Sequence, residues 1–590
     1  MQSPRAQARG LSFGVPACGL RWPRVGRSGA FAIAQEAERS GALGGRAGAN
    51  RVGQGRAGGR VGDEPGRAKA AASHGIGPRA HEAQNDERPL RHGTVYCTCQ
   101  REWGVMDECL HIDTGAAPSI TVEQPALNGT PAPATALEVL RALEGAGLEA
   151  WIVGGWVRDA LRGAPCHDVD ICCSGTWQQS EAALKAEGFK VVRSGIKFGG
   201  ITAVRGGERI EVTSYRFDGF YTDGRHPESV RLAQRVEDDL ARRDFTVNAM
   251  AWHPTRGLLD VYDGVGDLRR RMIRAVGEPR RRFEEDALRM LRAVRFACRL
   301  DFVVEPQTAS ALASCAPLLD AVARERVGWE LDGILATGHA GDALLRYPDT
   351  MCAAIPELAP CRGFDQHSRY HAFDVYDHIA RVITVAGELS LSSVDGAGPE
   401  AAPSPSLMWA ALLHDIAKPA CFTLDDRGCG HFYGHPERGA EQAREIMHRL
   451  ACPSEVMRDA CLLIRYHDRP MSAERSDLLR VMGLFAGAGL DTPRLMNELF
   501  DIKRADTLGK APSCFYYVKD IERMREMVRE LLANNEAYSV GTLALSGADL
   551  VAAGVAPAPR IGALLRRALD ATVDGLVPNK RDDLLAYLDV

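Results

Sequence analysis

Nowhere does the chain approach the roughly 18 consecutive apolar residues of a membrane-spanning helix, and nowhere does it carry a C-x-x-C pair. The first absence leaves it neither spanning a membrane nor visibly anchored to one. The second counts against a zinc ribbon, and the 16 cysteines are too scattered for a disulfide framework. A reducing cytoplasm suits them best. Charge of one sign is also lacking: a net charge of -5 excludes a wholesale basic nucleic-acid binder but leaves room for a local basic groove. No internal repeat is visible. With 45% apolar and 25% charged residues over 590 positions, the chain has a globular composition. It is too long for one core, and about two to four domains are expected.

Residues 1–118 are rich in Gly, Arg and Ala with little apolar periodicity, and are expected to be a disordered, low-complexity extension. The first 35 residues hold arginines and no acid, which also suits a transit peptide. The preferred reading is an extension from an upstream start, with the ordered protein beginning after Met106. From Ala136 a helix, the β-rich run AWIV, a glycine pair and a second helix follow. Short β-like segments then come at HDVDICCS, FKVVRSG, GGITAVRG and RIEVTSYR. After Leu232 almost everything reads as helix, interrupted by a Ser/Pro/Gly/Ala loop at 389–407.

The stretch C-H-D-V-D-I-C-C-S-G, Cys166 to Gly175, admits a thiolate site, a buried strand or the acidic pair of a magnesium enzyme. Strand alternation puts Asp168 and Asp170 on one side and Val169 and Ile171 on the other. Adjacent carboxylates are costly unless a cation lies between them, and hard oxygen ligands suit Mg2+. A bare D-x-D is also common on solvated strands. Upstream, Gly154 and Gly155 open a helix beginning WVRD, whose N-terminus can hold phosphate. Arg158 in its first turn can reach a phosphate oxygen. A plain turn explains a lone G-G as well, but together the two features favour nucleotidyl transfer. Cys172 and Cys173 then read as small apolar residues, and His167 flanks the turn.

GGWVRDALRGAPCHDVDI resembles the G-G-x-V-R-D-x-L-x-G…D-x-D signature of the class II tRNA nucleotidyltransferases and their bacterial poly(A) polymerase relatives. GGITAV, EVTSYRFDGFYTDGRHP, LARRDFTVNAMAW, LLDVYDGVGDLRRRMIRAVG and RRRFEEDALRMLRAVRFA continue the resemblance in order, from about Trp151 to Leu300. It implies that Asp168 and Asp170 hold two Mg2+ ions, one activating an RNA 3′-hydroxyl and one neutralising the triphosphate as pyrophosphate leaves. It further implies that Arg243 contacts the nucleotide, while Asp244 and Asn248 bond the ribose or fix the arginine. Without the resemblance, R-R-D-F would read as an exposed helix start with a local ion pair.

In FEEDALRMLRAVRF, Asp286, Arg289, Arg292 and Arg295 fall every third residue, each about 60° back from the last on a helix. Asp286 and Arg289 are then neighbours, offering one acceptor and one donor fork. Cytosine and adenine both carry an amino donor beside a ring-nitrogen acceptor, so the pair would accept CTP and ATP, each good contact worth about 1–3 kcal/mol. The family gives the matching pair this role and sets the next two arginines near the triphosphate. A plain i,i+3 salt bridge would be worth only about 0.3–0.5 kcal/mol. Arg269 to Arg271, Arg274 and Arg280 to Arg282 lie close by in sequence and suit an RNA backbone.

Downstream, His378 in YDHIARV, His414 and Asp415 in LLHDIAKP, His435 in FYGHPERGA, His467 in IRYHDRP and Asp506 in KRADTLGK could converge on one or two divalent metals. A lone buried histidine is usually only a core residue, but this order resembles the HD phosphohydrolase superfamily. That resemblance implies a second divalent metal and hydrolysis of a phosphoester, such as a 2′,3′-cyclic or 2′-phosphate at an RNA end. The C-terminal LSGADL…PRIGALLRRAL…DGLVPNKRDDLLAYL is similar to the longer bacterial CCA-adding enzymes.

The expected fold is α+β. A nucleotidyltransferase-type head with a small mixed sheet covers 119–235, an all-α neck and body 236–350, an HD region 351–515 and a helical tail 516–590. The expected activity is template-independent addition of C and A to tRNA 3′ ends from CTP and ATP. The alternatives are a poly(A) polymerase of the same family, or an HD phosphohydrolase whose head only binds RNA.

Overall fold

The computed structural model describes residues 126–166, 168–196, 199–218, 230–392, 402–555 and 559–590. The expectations for the extension at 1–118, for His167, for the FYTDGRHP part of the head and for the middle of the 389–407 loop lie outside the described residues.

Seven strands form the main sheet: β1 (Ala150–Val153), β2 (Asp170–Cys173), β3 (Lys190–Gly195), β4 (Gly200–Arg205), β5 (Glu208–Ser214), β6 (Met250–His253) and β7 (Gly257–Asp260). Their order is β7-β6-β1-β2-β5-β4-β3. Only β2 and β5 run parallel; every other neighbouring pair is antiparallel. The sheet is mixed, as expected, but it does not end at residue 235. MAWH and GLLD, expected to continue the helical part, supply β6 and β7, and β6 bonds to β1 through Ala251–Val153 and Trp252–Ile152. All four β6 residues are buried. A strand covered on both faces shows a continuous apolar run rather than alternation, which periodicity alone does not separate from a short helix.

Alternation sorts the central strands between two apolar clusters. Ile152, Ile171 and Cys173 face the large core, and Trp151, Val153 and Cys172 face a smaller one with Tyr215, Val236 and Leu240. Between β1 and β2 runs α1 (Gly155–Arg162), closed by Gly163 in the left-handed conformation.

The neck and body follow as α2 (Pro279–Glu285), α3 (Arg289–Leu300) and α4 (Arg324–Leu335). The HD region is built on α5 (Val375–Ser392), α6 (Pro405–Leu413), α7 (His435–Arg449), α8 (Ser454–Tyr466) and α9 (Thr492–Gly509). Here α5 runs on to Ser392, so the loop expected from residue 389 starts later, and Pro405 at the first position of α6 closes it. The tail carries its own small apolar cluster around Leu545, Leu550, Leu565 and Leu584.

The approach of α4 to the end of α7 depends on a missing side chain. A Cβ at Gly328 would lie 2.1 Å from the Leu450 carbonyl oxygen. Alanine gains about 1 kcal/mol in helix propensity, but overpacking against unyielding backbone costs about 1–3 kcal/mol and often more. Gly328→Ala should therefore lower the unfolding free energy by about 1–2 kcal/mol. Urea denaturation of the two proteins measures it, and an unchanged or higher midpoint would contradict this packing.

Candidate functional site

Strand β2 begins at Asp170, which lies opposite Val153 of β1 and Glu211 of β5. Asp170 is half-buried and Asp168, two residues upstream, is exposed. Burial pushes the Asp170 carboxyl up to about 6; Glu211 and Asp168 push the same way, while Arg243 opposes them. Asp168 and Glu211 are thus close enough for their charge to be felt at Asp170, an excess of negative charge that a hard cation relieves. Glu211 escaped the sequence reading, although an acid flanked by Ile210 and Val212 in an apolar strand was the available signal. Cys172 and Cys173 are buried on opposite faces, and burial pushes both thiols up. Burial on opposite faces thus counts against Cys172 and Cys173 as a thiolate pair.

Gly154 precedes α1 with φ +73°, a conformation natural to glycine. A Cβ there would lie 3.1 Å from Arg243 Nη1 and 3.8 Å from Asp170 Oδ2. The bare backbone thus lets cation and carboxylate meet over the turn. Asp239, fully buried, is bonded by both Arg242 and Arg243; these arginines hold its carboxyl below the usual range although burial alone would raise it. Arg243 Nε is buried and has no acceptor among the described residues.

Arg158 does not point outward as the sequence suggested. It is buried, with Nη1 donating to Asn248 Oδ1 at 2.7 Å and Nε and Nη2 donating to Asp159 at 2.9 and 2.6 Å. Asn248 Nδ2 donates in turn to Asp244 at 3.2 Å. Asp244 Oδ2 accepts two bonds from Arg292, at 2.9 and 2.8 Å. Burial works against the charge on Asp244, yet Arg292 and Asn248 keep its carboxyl below the usual range. Asp244 and Asn248 therefore fix Arg158 and Arg292 rather than Arg243.

The single helix expected across FEEDALRMLRAVRF is two. Asp286 is extended, at φ -147° and ψ 105°, between α2 and α3. Its Oδ1 accepts the Leu288 amide at 3.1 Å, a local bond that competes with helix formation. The expected ridge consequently lacks its first member, and Asp286 and Arg289 each bond elsewhere. Asp286 pairs with Arg326 at 3.2 Å, and Arg289 donates to Glu285 at 2.8 Å and to the Arg242 carbonyl at 3.1 Å. Arg295 donates to Glu330 at 2.6 Å, and Arg292 lies 3.7 Å from the same carboxylate. Arg326 and Glu330, one turn apart on α4, thus hold both ends of the motif. Glu330, buried at 2% exposure, was missed because its partners are about 35 residues away.

The arginines expected to form a basic groove are largely matched by acids of the chain. Arg270 and Arg274 pair with Asp267, Arg271 with Asp301, Arg280 with Glu284 and Arg282 with Glu285.

A second centre lies among α5–α9. His378, His414, Asp415, His435, His467 and Asp506 are all buried. Their ligand atoms fall into two triads, His378–His414–Asp415 and Asp415–His435–His467, each within 4.8 Å and sharing Asp415. Every imidazole sets Nδ1 against a backbone carbonyl: Gly509 at 3.2 Å, Ala411 at 3.0 Å, Phe432 at 2.8 Å and Ile464 at 2.6 Å, in chain order. The Nε2 atoms therefore turn inward, and those of His378 and His414 face each other at 3.3 Å. Asp506 lies 3.1 Å from His378. Burial opposes protonation of His378, but Asp415 and Asp506 raise it; burial lowers His414. Both Asp415 oxygens are buried and accept no hydrogen bond of good geometry, although Lys418 Nζ is 2.7 Å away. Inward Nε2 atoms around an unsatisfied carboxylate are the donor set of a divalent metal centre.

Fold and sites together define a nucleotidyltransferase head joined to an HD region. Residues 150–274 match the Poly A polymerase head domain family, 375–510 the HD domain family, and 301–360 the family described as probable RNA and SrmB- binding site of polymerase A. The CCA-adding enzyme of Lactobacillus delbrueckii subsp. bulgaricus is 30% identical over 77% of this chain and 97% of its own length. That of Levilactobacillus brevis is 30% identical over 76% and 95%. The Bacillus stearothermophilus CCA-adding enzyme, solved in complex with CTP, superposes with a TM-score of 0.56 at 27% identity, covering 77% of this chain and 96% of that one. The chain belongs to the CCA-adding enzyme family.

Removing one partner of a buried ion pair costs about 3–5 kcal/mol, because the other charge is left without compensation. Arg295 keeps some exposure, so Glu330→Gln should cost near the low end, about 3 kcal/mol. Denaturant midpoints measure it; a cost below that of an exposed pair would show that Glu330 does not hold the arginines.

Proposed function

We propose that this protein adds C and A residues to the 3′ end of tRNA from CTP and ATP, without a nucleic-acid template, releasing pyrophosphate. The observation that carries the reading is the gathering of Asp168, Asp170 and Glu211 beside the Gly154 turn and Arg243. Hard carboxylate oxygens, one of them raised chiefly by burial, suit Mg2+. Asp168 and Asp170 would hold it, and when bound it supplies Lewis-acid neutralisation of the triphosphate. The N-terminus of α1 offers its amides to phosphate, and Arg243 brings its guanidinium to the same turn. Arg158, Asp244 and Asn248 hold that turn and Arg292 in place. Asp286 accepts an amino hydrogen and Arg289 donates to a ring nitrogen, the pattern cytosine and adenine share; Arg326 and Glu285 steady the two. The relatives named for CCA addition, one solved with CTP, support the same assignment.

We assign the head to the region ending at β7, the neck and body to about 350, the HD region to about 515 and the tail to the rest. The cytoplasm is the compartment we infer, from scattered cysteines without a framework. No described helix is long and apolar enough to cross a membrane.

A second activity is favoured by the HD centre. The two triads would hold two divalent ions through a shared Asp415, which when bound supply an activated water. Buried Lys418 beside Asp415, and Lys510 at 2.6 Å from Asp506, place positive charge where a phosphoester would lie. A 2′,3′-cyclic or 2′-phosphate at an RNA end is the substrate we assign to it.

Asp168→Ala should lower nucleotide addition by about a thousandfold or more, several kcal/mol of lost metal assistance, while tRNA binding persists. Addition at the wild-type rate would refute the assignment. Tested separately on tRNA lacking its CCA end, CTP should be incorporated; use of ATP alone would instead indicate a poly(A) polymerase.

Full-length enzyme given Mn2+ or Ni2+ should release phosphate from 2′-phosphorylated RNA ends or open 2′,3′-cyclic ends. His414→Ala should lose that activity at least a hundredfold while retaining CCA addition. Equal hydrolysis by both proteins would remove the HD centre as its source.

A further inference from the structure

The hairpin leading into α7 carries a second kind of donor set, with sulfur in place of one of the two nitrogens of each HD triad. Thr423 pairs with His431 and Leu424 with Gly430, and the turn closes with the Asp425 amide donating to the Cys429 carbonyl at 3.0 Å. Residues paired across a hairpin share a face, as do residues two apart along a strand. Asp425, Cys429 and His431 are thereby brought to one face, and their ligand atoms all lie within 4.8 Å of one another.

We propose that Asp425, Cys429 and His431 form a metal site of their own, separate from the HD centre and fitted to a borderline-soft divalent ion such as Zn2+, with water completing the shell. The carboxylate is held for the task. Its Oδ1 accepts the Arg427 and Cys429 amides at 2.9 and 2.8 Å, and its Oδ2 is left facing His431 Nε2 at 3.2 Å. His431 is oriented from behind: Nδ1 lies 3.4 Å from the Tyr433 hydroxyl, and the two rings stack at 5.3 Å. Such outer partners fix which imidazole nitrogen faces a metal. One sulfur, one nitrogen and one oxygen donor select Zn2+ over Mg2+ or Ca2+. As a surface ion pair alone, His431 and Asp425 would contribute little, and the nearby thiol would have no part. The all-nitrogen-and-oxygen HD centre cannot supply thiolate ligation, so the two sites are separable by spectroscopy. They are also linked, because Phe432, between His431 and Tyr433, offers the carbonyl that orients His435. An ion in the hairpin would therefore stiffen the segment that aims one HD ligand.

Chelator-treated full-length protein titrated with Co2+ tests this. A near-ultraviolet thiolate-to-cobalt charge-transfer band should appear, persist in His414→Ala and vanish in Cys429→Ser. Outer partners alone are worth about 10–100-fold in metal affinity, so His431→Gln, which keeps the thiol, should raise the half-saturating Co2+ concentration at least tenfold. Far-ultraviolet circular dichroism checks that each variant is folded. No band in the wild type, an undiminished band in Cys429→Ser, or an unmoved half-saturation in His431→Gln would each overturn the proposal.

Discussion

The Asp244 carboxylate is the joint on which the catalytic half of the molecule is assembled. It lies next to Arg243, accepts Asn248 from the same segment, and receives both nitrogens of the Arg292 fork from α3. Through Asn248 it is tied to Arg158 of α1, and through Arg292 to Glu330 of α4. A buried carboxylate without such partners would be protonated or disruptive. With them, it fixes the start of α1 in the head against the helices that follow. Asp159, Arg158, Asn248, Asp244, Arg292, Glu330 and Arg295 form one alternating chain of donors and acceptors. Beyond Asp159, which Arg158 and Arg162 of its own helix satisfy, each member has at least one partner far off in sequence.

The arginines of the head are in large part paired with acids of the chain itself. Burying a guanidinium without a carboxylate is expensive, so a region this rich in arginine folds by recruiting acids such as Asp239, Asp267, Glu285 and Glu330. The Nε of Arg243 has no acceptor among the described residues, and it lies in the side chain nearest the bare Gly154 turn. A weakly charged chain can thus serve a polyanionic substrate through a few placed donors rather than through net charge.

How much could be read beforehand follows from the range of each interaction. Asp168, Asp170 and the Gly154–Gly155 turn were legible because a few adjacent residues carry the whole signal. The HD histidines were legible from their order, though not the sharing of Asp415 between two triads. Glu211 and Glu330 were not, since each matters only through partners on distant elements. The break at Asp286 was hidden for the opposite reason. Helical periodicity continues through it, and the break is visible only in the extended backbone of Asp286 and the bond its side chain takes from the Leu288 amide. β6 was missed because a fully buried strand lacks alternation, so the head extends beyond the boundary drawn at 235.

The donor sets also separate the metals by hardness, which matters for a chain that would hold more than one. Carboxylate oxygens are the donors around Asp170 in the head, and these favour an ion that keeps its waters and exchanges phosphate oxygens readily. Imidazole nitrogens with a shared carboxylate line the buried HD centre, where transition metals compete better. Among the described residues, sulfur joins such a cluster at the Asp425–Cys429–His431 hairpin. Had Cys172 or Cys173 turned a thiolate toward Asp170, the head would attract softer ions that release phosphate less readily. Strand alternation and burial hold Cys173 on the opposite face and keep Cys172 protonated in the apolar cluster. The two cysteines beside the aspartates are therefore compatible with magnesium chemistry because the sheet withholds their sulfur from it.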